Sequence, residues 1–202
     1  MIDTEHSLSS PGLNAQAGRG KVIAGATMSL DGFIADRNGS VARLYPDLEA
    51  LRETEALQES IRTTGAVVMG RRAYAMGDPD SYVGSYEYQV PIFVLTHNVP
   101  DQLPKQSEKL TFTFVTDGIE SAIRQAKAAA GDKNVTVVGG ASTFQQCLTA
   151  GLADELHIDM MPVLLGEGLR LFESLRAEPI ELELIRVAES LRTIGLRFRA
   201  AQ

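Results

Sequence analysis

The chain has 202 residues, 44% of them hydrophobic, a single cysteine and a formal net charge of −7. That length fits one domain with short appendages, and the acidic balance excludes the basic face of a nucleic-acid binder. No stretch has the apolar length of a membrane span, and one cysteine excludes an internal disulfide or a cysteine-cluster metal site.

Residues 1–20 are polar, rich in Ser, Gly and Ala, and lack the apolar core of a signal peptide. They read as a flexible leader on a cytoplasmic protein whose folded domain spans 21–202. The β-branched and small residues of 21–28 read as the first strand, running into Ser29-Leu30-Asp31-Gly32-Phe33-Ile34-Ala35. Asp31-Gly32 and Asn38-Gly39 are turn dipeptides with a short extended piece between them. From Asp47, an N-cap residue after Pro46, a helix is expected to about Thr63. Its stripe is imperfect, because Leu48 and Leu51 do not share a face with Leu57 and Ile61. Either the helix breaks near Thr54 or two of its faces are covered.

Ala66-Val67-Val68-Met69 reads as a buried strand closed by Gly70, with a short helix over 71–76 and a Tyr- and Gly-containing loop over 77–89. Strands are expected over 91–95 and 110–115. A helix capped by Asp117 follows, with Ile119, Ala122, Ile123, Ala126 and Ala130 on one face and Gly131 at its end. Asn134-Val135-Thr136-Val137-Val138 is another strand composition, stopped by Gly139-Gly140. Phe144, Cys147 and Leu148 then take helical spacing up to Gly151, and Cys147 reads as a small core residue. Strands over 155–165, 180–188 and 193–199 complete the chain, the last two antiparallel, with a turn at Gly166-Glu167-Gly168. Short strands alternating with helices, then a terminal run of strands, predict an α/β sheet with a parallel core and an antiparallel edge.

Strand, glycine pair and helix start together aim backbone N–H groups and a helix dipole at one point, which attracts a phosphate. The same two glycines also suit an ordinary tight turn. Two further strands end comparably, at Gly70-Arg71-Arg72 and at Thr96-His97-Asn98. Ligands of open α/β sheets bind outside the carboxyl ends of the strands, and arginine forks suit phosphates. Glycine, arginine, hydroxyl and imidazole at three such ends point to an anionic nucleotide.

These pieces, with Asp154-Glu155-Leu156 and Pro162-Val163-Leu164-Leu165-Gly166-Glu167-Gly168-Leu169-Arg170-Leu171-Phe172, occur in one order over about 21–199. The pattern resembles the dihydrofolate reductase superfamily, in the branch that includes the reductase domain of bacterial riboflavin biosynthesis. The resemblance implies a three-layer sandwich built on a mainly parallel, twisted sheet with NADPH across the strand ends. It implies that Gly139, Gly140, Ala141, Ser142 and Thr143 hold the diphosphate, and that Gly70, Arg71 and Arg72 hold the diphosphate and the adenosine side. Thr96 and His97 would stand by the adenosine 2′-phosphate, and Ala26, Thr27 and Ile34 would border the nicotinamide. The family often has Thr where this chain has Ala73. The substrate implied is a small pteridine- or pyrimidine-like heterocycle, and relatives are often homodimers joined through sheet edges.

Hydride transfer also calls for a proton source. Asp31 matches the Leu-Asp-Gly of the resemblance, though a tight turn also asks for Asp before Gly. Glu53 and Glu55 are the carboxylates nearest the position of the folate-reductase acid, and solvated faces explain such residues too. Glu155, His157 and Asp159 alternate onto one strand face and read as a polar face; no metal site is expected. The chain has no Trp, which folate reductases usually carry beside the pterin, and no zinc deaminase domain. Three readings follow: a heterocycle reductase, a free-standing riboflavin-pathway reductase, and a nucleotide-binding protein without catalysis. The tyrosines of 78–89 read as a lid over a planar ring or as a subunit contact.

Overall fold

A computed structural model of the protein describes residues 20–173, 175, 179–190 and 192–200. The leader expected over 1–20 lies, apart from Gly20, outside the described residues. In chain order come β1 (Val22–Ser29), β2 (Phe33–Asp36), α1 (Leu48–Arg52), α2 (Glu55–Thr63), β3 (Thr64–Gly70) and α3 (Arg71–Tyr74). A 3-10 turn (Pro79–Ser81) leads to α4 (Tyr82–Ser85), β4 (Ile92–Leu95), β5 (Phe112–Val115), α5 (Ile119–Ala130), β6 (Asn134–Val138) and α6 (Ala141–Thr149). β7 (Glu155–Met161), β8 (Gly168–Arg170), β9 (Leu182–Ser190) and β10 (Thr193–Ala200) complete the fold.

Eight strands form one sheet in the order β5-β4-β3-β6-β1-β7-β10-β9, and β2 pairs with β8 apart from it. The six strands from β5 to β7 run parallel, while β10 and β9 run antiparallel at the edge. This is the sheet expected from the alternation of strands and helices. Parallel strands are stable only when both faces are covered, and the side chains show how. On one face α5 and α6 pack Ala122, Ile123, Ala126, Phe144, Cys147 and Leu148 onto Val68, Val135, Val137 and Leu156. On the other, Val67, Met69, Ile92 and Val94 meet Tyr74, Tyr82 and Tyr88, with Leu57 and Ile61 of α2 packed against them. Cys147 is fully buried, and that burial pushes its thiol up to about 12, which leaves it a core residue and no nucleophile.

The imperfect stripe over 47–63 is explained by a break. Thr54 ends α1 and caps α2: its Oγ1 donates to the Leu51 carbonyl at 2.8 Å and accepts from the Leu57 N–H at 3.3 Å. Two helices with different bearings need not share a face. The cap expected at Asp117 is corrected to Gly118, which takes φ 101° without a side-chain cap bond. β7 stops at Met161 rather than running to residue 165, because Val163 N–H turns back to the Met161 carbonyl at 2.8 Å. The turn expected at Gly166–Gly168 leads straight into β8, which Gly168 opens. Gly168 has φ 145°, and a Cβ there would stand 2.0 Å from the Ala35 carbonyl oxygen, so only glycine lets β8 lie against β2. Among the described residues no helix is long and apolar enough to cross a membrane.

Candidate nucleotide and substrate groove

The strand registers bring the sequence-predicted residues to neighbouring strand ends. Leu95 pairs with Gly70, Met69 with Val138, and Gly25 with Val138. Gly70 and Ala26 thus stand at neighbouring strand ends with Gly139 directly after β6, and Thr96, Arg71 and Gly140 follow these ends in the chain, while Thr27 pairs with Asp159 of β7. All of these line one open groove of about 2160 Å³, together with Ile34, Arg72, His97, Ala141, Ser142 and Thr143. Every cofactor position expected from the resemblance lines it. The groove continues past the strand ends over the polar face of β7, under α1 and α2.

The glycines matter for more than ligand access. A Cβ on Gly70 would stand 2.5 Å from Thr143 Oγ1, and one on Gly139, at φ 66°, would stand 2.9 Å from Ala73 Cβ. The starts of α3 and α6 therefore touch through glycine. Real Cβ contacts are never so short, so a side chain at either position would push the helices apart. Ala73, where the resemblance anticipates Thr, is the small partner that Gly139 packs against. Gly140 takes φ 78° and is the N-cap of α6, which has no side-chain cap. The first N–H groups of a helix have no acceptor within it, so α6 presents its opening N–H groups to the groove. Glycine turn, uncapped helix start and two arginines with no carboxylate paired to them among the described residues make a donor set that fits a dinucleotide diphosphate.

Thr96 differs from expectation in detail. Its Oγ1 donates to the Asn98 carbonyl at 2.9 Å and accepts from the Asn98 N–H at 3.3 Å, so it shapes the loop while His97 stands exposed beside it. Ser142 Oγ accepts from Gln146 Nε2 at 3.0 Å and stays exposed at the groove.

Asp31 is not brought to the groove. Its Oδ1 accepts from Ser29 Oγ at 2.6 Å and Leu165 N–H at 3.1 Å, and Oδ2 accepts from Gly166 N–H at 2.7 Å. These bonds favour the carboxylate, the Ser29 hydroxyl most, and hold it down at about 2. A carboxyl that is ionised and fully engaged is a poor proton donor; Asp31 clamps the β1–β2 turn to the loop before β8. Its pKa is depressed on folding, so the stability it contributes is present above its ordinary value near 3.8 and is lost as pH falls towards 2. Asp31→Asn should lower the melting temperature at pH 7. A variant that melts like the parent would refute the clamp. Glu55 does line the groove, in the first turn of α2, whereas Glu53 caps the end of α1 away from it.

The polar face of β7 forms the groove floor, and its charges are paired. Lys21 Nζ meets Glu155 Oε1 at 2.5 Å, Glu155 Oε2 meets His157 Nε2 at 3.0 Å, and Arg197 meets Asp159 at 2.8 Å. Burial holds the His157 imidazole below its ordinary value. The tyrosine-bearing loop after α3 supplies a wall in place of a free lid. Tyr82 and Tyr88 are buried, Tyr86 packs between them at 5.0 and 5.7 Å, and Tyr88 hydroxyl meets Ser60 Oγ at 2.9 Å. Two groove residues had no motif to announce them. Tyr45 lies beside Thr27, and Glu87, between two tyrosines, is pushed above the usual carboxylate range by burial.

Comparison with known proteins agrees with this geometry. The family model of the RibD C-terminal domain matches residues 20–194. The uncharacterised protein YwjB of Bacillus subtilis (strain 168) is 28% identical over 158 residues, 78% of this chain and 86% of its own. A structure from Shewanella sp. PV-4, provisionally described as a riboflavin biosynthesis protein, superposes with a TM-score of 0.73 at 24% identity. It covers 90% of this chain and 99% of its own. Dihydrofolate reductase from Enterococcus faecalis, solved with NADP(H), gives 0.58 at 17% identity over 92% of this chain and 99% of its own. The fold is that of dihydrofolate reductase.

Proposed function

Because the chain belongs to the RibD C-terminal domain family, we propose that it is an NADPH-dependent oxidoreductase acting on a small pteridine- or pyrimidine-like heterocycle. The observation that carries this reading is the convergence of Gly70, Gly139 and Ala26 at neighbouring strand ends beside the uncapped start of α6. In it, the α6 N–H groups with Ser142 hold the diphosphate, Arg71 and Arg72 hold phosphate oxygens, and His97 stands at the 2′-phosphate. Ala26, Thr27 and Ile34 border the ring. When bound, the nicotinamide supplies the hydride. The chain's part is to orient the acceptor ring over the ends of β1 and β7 and to exclude water from it with the tyrosine wall and α2. Proton supply falls to groove carboxylates or water, since Asp31 is engaged elsewhere.

A free-standing riboflavin-pathway reductase, acting on a ribosylaminopyrimidine phosphate, is the second reading. It is favoured by Arg186 and Arg192, which line the β9–β10 side of the groove where a substrate phosphate would need basic partners. We also propose a homodimer. Leu184, Val187 and Ile194 are 54%, 56% and 47% exposed on β9 and β10, an aliphatic group that a second copy would cover.

The test is thermal shift with NADPH and with NADH. A ligand that binds the folded state alone raises the melting temperature in proportion to ln(1 + [L]/Kd). NADPH at one hundred times its Kd is expected to stabilise by about 2.7 kcal/mol, with a much smaller rise for NADH. No rise with either would end the reductase reading, and a monomer in sedimentation of the same preparation would end the dimer.

A further inference from the structure

Glu155 and His157 form a hydrogen-bonded pair on the groove floor that neither the phosphate cradle nor the Asp31 clamp uses. β7 turns Leu156 and Ile158 into the core and leaves Glu155, His157 and Asp159 on its other face, where all three line the groove. The neighbouring strand clears a space beside them. Gly25 of β1 is the register partner of His157, and a Cβ there would meet nothing nearer than the His157 carbonyl oxygen at 4.0 Å. The next residue, Ala26, borders the ring in the reductase reading, so the open place at Gly25 adjoins the ring site.

The pair is built as a chain. Lys21 Nζ donates to Glu155 Oε1 at 2.5 Å, and Glu155 Oε2 meets His157 Nε2 at 3.0 Å. Glu155 is 8% exposed, and a carboxylate held that firmly fixes the imidazole it bonds. Among the described residues His157 Nδ1 takes no hydrogen bond, and no buried side-chain nitrogen or oxygen lacks one. Nδ1 therefore opens onto the groove. With Nε2–H given to Glu155, a second proton on this ring resides on Nδ1. The other charges that bear on the ring are Asp159 and Arg197, which pair with each other at 2.8 Å, Arg197 being the register partner of His157 on β10. Arg186 of β9 and Glu59 of α2 also line the groove and pair at 3.9 Å. Burial outweighs the pull of Glu155 and holds the imidazole below its ordinary value, so its second proton is given up readily.

Resting on the reductase reading of the groove, we propose that His157 is the catalytic proton donor and that Glu155, with Lys21 behind it, is its positioning residue. The groove carboxylate concerned in proton supply thus acts through an imidazole. The acceptor ring's carbon–nitrogen double bond gains the hydride at carbon, with NADPH oxidised to NADP+. The π pair settles on nitrogen, the Nδ1–H bond breaks, and a ring N–H bond forms. Nε2–H stays with Glu155 throughout, and water in the open groove returns a proton to Nδ1. The substrate class is a heterocycle with a C=N bond whose nitrogen faces β7.

The first readout needs no ligand: an NMR pH titration of the imidazole Cε1 protons, with His157 assigned by its loss in His157→Gln. In the parent, His157 should titrate below its ordinary 6.5. Glu155→Gln should lower that midpoint further, and Lys21→Met, which frees Glu155 from a competing cation, should raise it. The second readout is reduction of 7,8-dihydropterin with NADPH. His157→Gln keeps an amide donor for Glu155, so it should melt like the parent and keep the NADPH-induced rise in melting temperature. It should nevertheless lose about 100-fold in kcat, the scale of general acid catalysis by a side chain, with little change in KM. The parent's kcat should fall as pH rises, and that dependence should vanish in His157→Gln. An imidazole indifferent to Glu155→Gln, a His157→Gln enzyme with the parent's rate, or a parent that does not reduce dihydropterin would each overturn the inference. Those failures with a normal NADPH rise leave the cofactor reading standing, whereas absence of the rise in the parent removes that reading by itself.

Discussion

Gly139→Val is expected to unfold well below the parent and to bind NADPH poorly. The residue sits at φ 66°, where a Cβ would be 2.9 Å from Ala73 Cβ. A left-handed backbone costs an L-residue about 1–2 kcal/mol, and forcing extra carbon into a packed contact adds about 1–3 kcal/mol. A total of about 3 kcal/mol corresponds to roughly 10 °C for a chain of this size. Separating α3 from α6 also widens the cradle, so the NADPH Kd should rise about tenfold or more, which is 1.4 kcal/mol per decade. Differential scanning calorimetry with and without NADPH reads both effects. Gly139→Ala paired with Ala73→Gly should recover most of the packing loss but none of the backbone strain, a non-additivity that a double-mutant cycle isolates. A Gly139→Val protein with the parent's melting temperature would show that α3 and α6 are not in contact through this glycine.

The same contact shows what the chain discloses before it folds. Strand compositions such as Val135-Thr136-Val137-Val138 and the stripe of α5 are local, and both gave the expected elements. The groove-lining positions were legible because three strands end in residues that differ sharply from the apolar runs before them. The meaning of Gly70 and Gly139 was only half legible. Sequence shows a glycine; only the packing of Thr143 and Ala73 against the two glycines shows that helix approach, as well as phosphate approach, demands it. The far end of the groove was hidden for a different reason. Tyr45, Glu87 and Asp159 lie on three separate segments and carry no shared spacing, so no window of sequence contains the cluster. Asp31 was misleading because a turn residue and an acid look alike in sequence, and only the donors from Leu165 and Gly166, 134 and 135 residues away, separate them. β8 was missed since three exposed residues have no apolar pattern to read.

The second large effect is expected from Phe144→Ala, and it tests whether the core positions the cradle. Phe144 is 1% exposed and packs edge-on against Phe172 at 5.9 Å. Removing such a ring typically costs about 3–5 kcal/mol, part transfer and part cavity, or on the order of 10 °C here. Phe144 lies one turn into α6, three residues after the N–H groups proposed to hold the diphosphate. A cavity at that point loosens the helix start itself, since dense cores transmit displacement. The NADPH-induced rise in melting temperature should therefore shrink in Phe144→Ala, beyond the loss of stability without ligand. Phe144→Leu, which keeps most of the volume, should lose far less stability and keep the full NADPH response. If Phe144→Ala loses its stability yet gains as much from NADPH as the parent, the start of α6 is held by the Gly70–Thr143 contact alone. The core beneath it would then serve the fold and not the site.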